Sequence, residues 1–234
     1  NGLNLTVETI DGLLKHNGPI KNLIKLNTIL GKNFFKNKIN FLNNTSLEAQ
    51  IASISDDIAY NSHDLEDGLK SDLFKLNDLM NITVLNKIVA KHKRQIKKYS
   101  IDLIVRQIIR EIINEMVSDV IKTTQNNIKL NNIKKLKDVY KSKKQIVCFS
   151  NKMKNFDIQI KRFLRQKMYF HKTVNKKTDY GREVIKNLFL LIKKKPKKNI
   201  NIKKYKNLNI ERIICDYIAG MTDRYAINLY KKIK

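Results

Sequence analysis

Apolar residues recur every three or four positions through most of the chain, the spacing of one face of an α-helix. The strongest case is Ile101–Thr124, in which five apolar residues fall four apart: Ile104, Ile108, Ile112, Met116 and Val120. Weaker patterns of the same period predict further helices at Asn4–His16, Thr45–Asp67, Ser71–Lys98, Met153–Tyr169, Arg182–Lys193 and Ile210–Lys232. The chain is therefore predicted to be all-α, with about seven to nine helices.

Local signals mark where some of these helices begin and end. Thr45 and Glu48 form a predicted capping box, because each side chain can accept a hydrogen bond from the other's backbone N–H. Gly68 permits a C-terminal cap for that helix, and Ser150 is a candidate N-cap. The apolar run Ile146–Phe149 is predicted to be either a strand or a buried extended piece.

Three stretches lack a clear apolar period. Lys21–Asn44 is rich in Asn and Lys and is predicted to be a loop with one short helix. Asn126–Ser142 is basic and is expected to be exposed, and Lys193–Lys206 is expected to be a lysine-rich loop around Pro196. No internal repeat is visible in the chain.

Composition adds a charge argument to this helical pattern. Hydrophobic residues make up 42% of the 234 residues, enough for a folded core. The net charge of +27 favours an anionic partner. Lys greatly outnumbers Arg, whereas proteins that read nucleic acid prefer Arg for bidentate contacts. Three explanations of the positive charge therefore remain open. They are a gene rich in A/T codons, binding of nucleic acid, and binding of a small polyanion such as a nucleoside triphosphate.

The cysteines and the lengths of the apolar runs indicate the cellular compartment of the protein. The two cysteines, Cys148 and Cys215, lie far apart and fit neither a disulfide framework nor a zinc site. We expect them to be core thiols in a reducing cytoplasm. No run of about 18 apolar residues and no signal peptide is present, so no membrane association is predicted.

The richest chemistry lies in the Thr45–Leu69 segment. Asp56, Tyr60 and Asp64 are spaced i, i+4, i+8, so they share one face of the predicted helix. We expect this helix to be largely buried, and buried carboxylates are costly unless they are paired or metal-bound. A carboxylate, an aromatic ring and a second carboxylate suit a sugar-phosphate pocket. The alternative is a solvated acidic helix end.

Three other residues invite a functional interpretation. His63 and Asp64 form a His-Asp pair, but adjacent helical residues point about 100° apart and no partner histidines lie nearby, so we do not assign them as a metal pair. Lys15, near a predicted helix end, could contact a phosphate or be solvated. Arg224 lies among aromatic residues, where we expect it to be buried with an acidic partner or to bind phosphate.

These residues belong to stretches that resemble the bacterial deoxyguanosine triphosphate triphosphohydrolase-like (dGTPase-like) family of the HD-domain superfamily. The matching stretches are Asn4–His16, Ser46–Leu69 and Cys215–Ala226, and Phe163–His171 is similar to the pattern ahead of the family's last helices. They occur in family order and span nearly the whole chain. The chain thus resembles the C-terminal part of that family.

The resemblance implies an all-helical HD fold that hydrolyses a deoxynucleoside triphosphate to deoxynucleoside and tripolyphosphate, using a divalent metal ion such as Mg²⁺ or Mn²⁺. Asp56 matches one metal ligand, an Asp distant in sequence from the other ligands. Tyr60 matches the Tyr that packs on the sugar, and Asp64 matches the carboxylate that accepts the 3′-hydroxyl. Lys15 matches a phosphate-contacting Lys, and Arg224 lies in a shared motif and is assigned to substrate binding. A homo-oligomer is expected.

The chain also departs from the family pattern. The family's first His and its His-Asp pair lie upstream of the stretch matched by Asn4–His16, and this sequence starts at Asn1. We therefore expect 1–234 to be a single helical domain, an incomplete HD phosphohydrolase that is inactive until an upstream fragment completes it. No residue is assigned as catalytic. The alternatives are a non-catalytic structural subunit and a basic remnant that binds nucleic acid.

Overall fold

The computed structural model describes residues 3–24, 28, 39–96, 98–201 and 208–233, without the side chains of 93–96. These residues form helices and irregular segments with no strand, which confirms the predicted all-α fold. Eight of their α-helices have seven or more residues, within the predicted number. Parts of two predicted loops, 25–27 with 29–38 and 202–207, lie outside the described residues.

The chain divides into two compact units, Asn1–Met168 and Tyr169–Lys234. Two such units can still belong to one domain, so the single helical domain over 1–234 stays a prediction. Among the described residues, the helices of the first unit include α1 (Val7–Leu14), α2 (Leu47–Lys70), a 3₁₀ helix (Leu76–Asn81), α3 (Thr83–Ile96), α4 (Ile101–Leu130), α5 (Leu136–Lys141) and α6 (Asn151–Leu164). A π-helical turn (Arg165–Tyr169) precedes α7 (Lys172–Lys194), α8 (Pro196–Asn199), α9 (Ile210–Ala219) and α10 (Asp223–Ile233).

Helix α4 provides much of the core of the first unit. Its apolar series at four-residue spacing is buried as the period predicts: Ile104, Ile108, Ile112, Met116 and Val120. Each large aliphatic side chain buried in this way contributes about 1.5–3 kcal/mol. Helix α4 packs against α2 and α3, and α2 also contacts α1 and α6. Helix α2 therefore contacts three other helices of the first unit.

The start of α2 differs from the prediction by one residue. Ser46 is the N-cap, and its hydroxyl accepts a hydrogen bond of 3.3 Å from the backbone N–H of Ala49. Thr45 is buried instead, and its hydroxyl has no hydrogen-bond partner among the described residues. Hydrogen bonds from its own backbone N–H and from Ser46 lower the pKa of Glu48. The predicted capping box at Thr45 and Glu48 is therefore wrong.

The end of α2 also differs, for a steric reason. The helix continues to Lys70, so Gly68 lies inside it and does not serve as a cap. A Cβ at Gly68 would lie 2.2 Å from Cε1 of Phe74. Phe74 is buried and packs edge-to-face on Phe163 of α6, with ring centroids 4.8 Å apart. Glycine is thus required for close approach, and not for a helix-ending conformation.

A buried amide fixes the segment that precedes α6. Ile146 and Val147 are buried, and their backbone N–H groups donate to Oε1 of Gln50 at 2.9 and 3.0 Å. Nε2 of Gln50 donates to the carbonyl of Thr45 at 2.9 Å. The segment is thus a buried extended piece and not a strand, one of the two predicted alternatives.

The second unit has its own core between α7, α9 and α10. Helix α7 begins at Lys172, ten residues before the predicted start. The sequence predicts that the helical region Ile210–Lys232 is broken or bent near Gly220, and it is divided there into α9 and α10. The buried cluster comprises Val184, Leu188, Ile192, Ile200, Ile213, Ile214, Ile218, Ala226 and Tyr230. No helix among the described residues has the length and apolar character needed to span a bilayer.

Candidate functional site

Asp56, Tyr60 and Asp64 form a stripe along α2. In an ideal helix each step between them rotates by about 40° and rises by about 6 Å, so the stripe is about 12 Å long. Asp56 is exposed, Tyr60 is 57% exposed and Asp64 is half-buried. The prediction that the helix is largely buried is therefore wrong for this face. The stripe presents two carboxylates and an aromatic ring on the surface of the first unit.

The opposite face of α2 is buried but only partly apolar. Ile58 and Leu65 supply its large apolar side chains. Polar side chains fill much of the rest, since Gln50, Asn61 and Ser62 are also buried. The near-helical spacing of Leu47, Ile51, Ile54, Ile58 and Leu65 predicts that all five lie on one apolar face. Ile51 is nevertheless 49% exposed and is not part of the core.

A polar network joins α2 to α6 beside the stripe. Nδ2 of Asn61 donates to Oδ1 of Asp157 at 2.7 Å, and Nζ of Lys161 lies 3.0 Å from Oδ2 of Asp157 and 3.0 Å from Oδ1 of Asp57. Burial alone would lower the pKa of Lys161, but its hydrogen bonds to Asp57 and Asp157 and their charges outweigh that effect and raise it. Lys161 therefore stays charged between the two carboxylates.

A cavity of about 300 Å³ adjoins this network between the end of α1, α2 and the start of α6. Its polar and charged lining includes His16, Ser53, Asp57, Cys148, Lys154 and Asp157. The mixture of acidic and basic groups selects no single ligand charge. Ser53 lies about one helical turn before Asp56 on α2, but none of the three stripe residues lines the cavity.

Lys15 lies at the end of α1 and is only 2% exposed. Its Nζ forms an ion pair of 2.5 Å with Oδ1 of Asp11, one turn earlier on the same helix. Burial together with pairing is the arrangement that a charged side chain needs in a core. The ammonium group of Lys15 is therefore already paired with the Asp11 carboxylate. The assignment of Lys15 to phosphate binding stays a prediction.

Arg224 lies at the second position of α10, in the second unit, and is exposed. The expectation that it is buried against an acidic partner is therefore wrong. Asp216, in the same sequence motif as Arg224, is paired with Arg212 one turn earlier on α9, whose Nε lies 2.9 and 3.0 Å from its two oxygens. Exposure leaves the Arg224 guanidinium accessible to an anion.

The donor set does not complete a metal site. Within the described ranges, no three His, Cys, Asp or Glu side chains are grouped so that they could hold a metal ion. A divalent ion in a protein needs several ligands that also balance its charge. Asp56 alone does not meet that requirement, so the described residues do not fit a whole metal centre.

Sequence reasoning missed the residues that link α2 to α6. Asp57 and Asn61 are one turn apart on α2, and Asp157 and Lys161 are one turn apart on α6. This i, i+4 spacing was visible within each helix. Only tertiary structure shows that the two pairs face each other across an interhelical contact.

Comparison with known proteins identifies relatives along the full chain. Residues 147–232 match the phosphohydrolase-associated domain family, which is found with HD phosphohydrolases. The chain is 53% identical over 232 residues to a deoxyguanosinetriphosphate triphosphohydrolase-like protein of Pelagibacter ubique, covering 99% of this chain and 62% of that protein. The resemblance to the dGTPase-like family is confirmed.

Two further dGTPase-like relatives show similar coverage. The protein of Caulobacter vibrioides is 34% identical over 239 residues, which cover 99% of this chain and 61% of that protein. The protein of Bartonella quintana is 34% identical over 251 residues, which cover 100% of this chain and 60% of that protein. The chain thus spans about three fifths of the length of these dGTPase-like relatives.

Proposed function

We propose that this chain forms the sugar-binding wall of a dNTP triphosphohydrolase site. The observation that carries the proposal is the stripe of Asp56, Tyr60 and Asp64 on the accessible face of α2. The dGTPase-like names of the relatives support a triphosphohydrolase reaction, in which water and a dNTP give a deoxynucleoside and tripolyphosphate. The deoxynucleotide is thus the proposed substrate.

Each residue of the stripe has a distinct proposed task. The exposed Tyr60 ring offers a flat apolar surface to one face of the deoxyribose. Asp64, two turns after Asp56, accepts a hydrogen bond from the 3′-hydroxyl, and a carboxylate acceptor makes that bond stronger than a neutral one would. Together the two side chains hold the sugar, while the triphosphate extends toward Asp56.

Positive groups are proposed to bind the triphosphate. Arg224 is exposed and can form a bidentate contact with a phosphate. Lys15 would have to exchange Asp11 for phosphate as its partner, which makes it the weaker of the two assignments. Asp56 would be one ligand of a divalent ion, the segment that the family pattern places upstream would hold the others, and the ion would supply Lewis-acid chemistry at a bound water.

The direct test is completion of the site. The region of the Pelagibacter ubique relative that this chain does not cover is joined to it, and tripolyphosphate release from each dNTP is measured with Mg²⁺ or Mn²⁺. The chain alone should release none, and the joined protein should release tripolyphosphate and deoxynucleoside in equal amounts. Release of pyrophosphate or single phosphates, or no release while the Pelagibacter protein itself is active, would contradict the proposal.

A second candidate function is binding of nucleic acid. Residues 169–234 hold 18 Lys and Arg against 5 Asp and Glu, a net charge of +13 on 66 residues. Phosphate contacts give affinity that falls steeply with salt. Binding of single-stranded DNA that persists near physiological salt would support this function, and loss of all binding there would reject it.

A further inference from the structure

Four polar residues connect α2 to α6, and we call them the α2–α6 clamp: Asp57, Asn61, Asp157 and Lys161. The clamp runs from the core to the surface. Asn61 is fully buried, the Asp157 side chain is 12% exposed, and the Lys161 and Asp57 side chains are 44% and 51% exposed. Both oxygens of Asp157 are used, one by Asn61 and one by Lys161.

Apolar packing constrains the rotation of α2 less than that of its neighbour. Helix α4 buries seven residues, all of them apolar, whereas α2 buries three polar residues, a glycine and two large apolar residues. Apolar contacts are non-directional and tolerate small rotations. Hydrogen bonds do not, because they weaken steeply outside a narrow range of distance and angle. The hydrogen bonds of Gln50 orient the start of α2, and the directional contacts of the clamp orient its middle, around Asp57 and Asn61.

The clamp residues on α2 are direct neighbours of stripe residues, so the rotation of α2 decides where the stripe points. Asp57 directly follows Asp56, and Asn61 directly follows Tyr60. One residue corresponds to about 100° of rotation and 1.5 Å of rise. When Asp157 and Lys161 hold Asp57 and Asn61 on one side of α2, the Asp56 carboxylate and the Tyr60 ring are fixed on the neighbouring side.

We infer that Asp157 and Lys161 are positioning residues, which set the orientation of Asp56 and Tyr60 toward a bound deoxynucleotide without touching it. The inference rests on the proposed function for the substrate, and on the geometry of the clamp for the mechanism. Lys161 also offsets the mutual repulsion of Asp57 and Asp157, so its loss should loosen both contacts. A misplacement of about 1 Å at a reacting centre can cost about 100-fold in rate.

The first experiment uses this chain alone and does not depend on activity. Backbone amide exchange of Leu47–Lys70 is compared between the wild type, Asp157→Ala and Lys161→Met. We expect exchange around Asp56 and Tyr60 to be about tenfold faster in both variants. The amides of Lys172–Lys194, in the second unit, should not change and serve as the internal reference.

A matched control and a rescue sharpen this test. Glu66→Gln removes an ion pair to Lys70 that is also spaced i, i+4 but lies within α2 alone, so it should leave exchange around Tyr60 unchanged. Exchanging the clamp partners by combining Asn61→Asp with Asp157→Asn restores an amide–carboxylate pair. Protection should return in this double variant and be poor in Asn61→Asp alone, where two carboxylates face each other.

The second experiment measures kinetics in the joined protein. Lys161→Met and Asp157→Ala should lower kcat by about 10- to 100-fold with the melting temperature kept within a few degrees, and the exchanged pair should recover kcat. Unchanged exchange around Tyr60 in both clamp variants would overturn the clamp, whether or not the protein hydrolyses a dNTP. If exchange around Tyr60 is faster in both clamp variants but the joined protein without substitutions hydrolyses no dNTP, the proposed function would be rejected and not the clamp. Faster exchange with unchanged kcat would show that the clamp stabilises α2 without positioning the site.

Discussion

Replacing Gly68 by Ala should destabilise the protein, although the same change usually stabilises a helix. Gly68 lies inside α2, and a Cβ there would lie 2.2 and 2.4 Å from Cε1 and Cζ of Phe74. Phe74 is 3% exposed and packs on Phe163, so its ring cannot move away freely. The Phe74 ring thus lies between the C-terminal part of α2 and Phe163 of α6.

Two opposing effects set the magnitude. Alanine in a helix interior gains about 0.5–1 kcal/mol over glycine. Overpacking a filled core costs about 1–3 kcal/mol, because rings and backbone must shift. The expected net loss is about 1–2 kcal/mol in the free energy of unfolding, which corresponds to several degrees in melting temperature for a chain of this size.

Urea unfolding followed by circular dichroism measures this change. Gly181→Ala is the matched control, because Gly181 lies inside α7 and an added Cβ meets nothing within 4 Å. That variant should gain about 0.5–1 kcal/mol. If Gly68→Ala were as stable as the wild type or more so, the reasoning from close approach would be refuted.

Three further predictions concern stability, acid sensitivity and binding. Gln50→Ala should cost about 2–4 kcal/mol, because the N–H groups of Ile146 and Val147 lose their acceptor, and a loss below about 1 kcal/mol in urea unfolding would contradict this. Burial would raise the pKa of Glu111, but hydrogen bonds from Lys91 and His92 lower it below the ordinary value of 4.5. The ionised Glu111 carboxylate therefore stabilises the fold above pH 4.5, and this contribution is lost as the pH falls through the lowered pKa. The difference in the free energy of unfolding between the wild type and Glu111→Gln should narrow in acid. A difference that widens there would contradict the reasoning. Arg224→Ala should change the unfolding free energy by less than about 0.5 kcal/mol, since Arg224 is exposed, and should raise KM for a dNTP in the joined protein; an unchanged KM would remove Arg224 from the substrate site.

The period of apolar residues was enough to predict the all-α fold and its longest core helix. In α4 the four-residue series meets one continuous apolar interface, so pattern and burial agree. In α2 the buried face is mixed, and the apolar pattern placed Ile51 in a core that it does not enter. The pattern therefore located α2 correctly and was least informative about which way it is turned.

Glycine and serine show why local signals alone mislead. Gly68 near a helix end suggests a cap, but the neighbour that requires it, Phe74, is fixed by packing on α6. Thr45 and Ser46 are both good N-caps, and their sequence does not decide between them. Tertiary burial of Thr45 leaves Ser46 to cap α2.

The candidate site was predicted in part. The i, i+4, i+8 spacing placed Asp56, Tyr60 and Asp64 on one face, because that depends only on helix geometry. The ion pair of Lys15 with Asp11 has a local i, i+4 spacing, but the side of α2 on which the core lies and the clamp to α6 depend on contacts between helices distant in sequence. Such contacts leave no periodic trace in a single sequence.

The most direct test of the central claim is tripolyphosphate release by the joined protein with and without Asp56→Ala. Asp56 is exposed, so the substitution should leave the melting temperature within about a degree or two of the parent protein. We predict that the parent releases tripolyphosphate from a dNTP in the presence of a divalent ion and that Asp56→Ala releases none. Retained release in a folded Asp56→Ala protein would contradict the assignment of this stripe to the hydrolytic site.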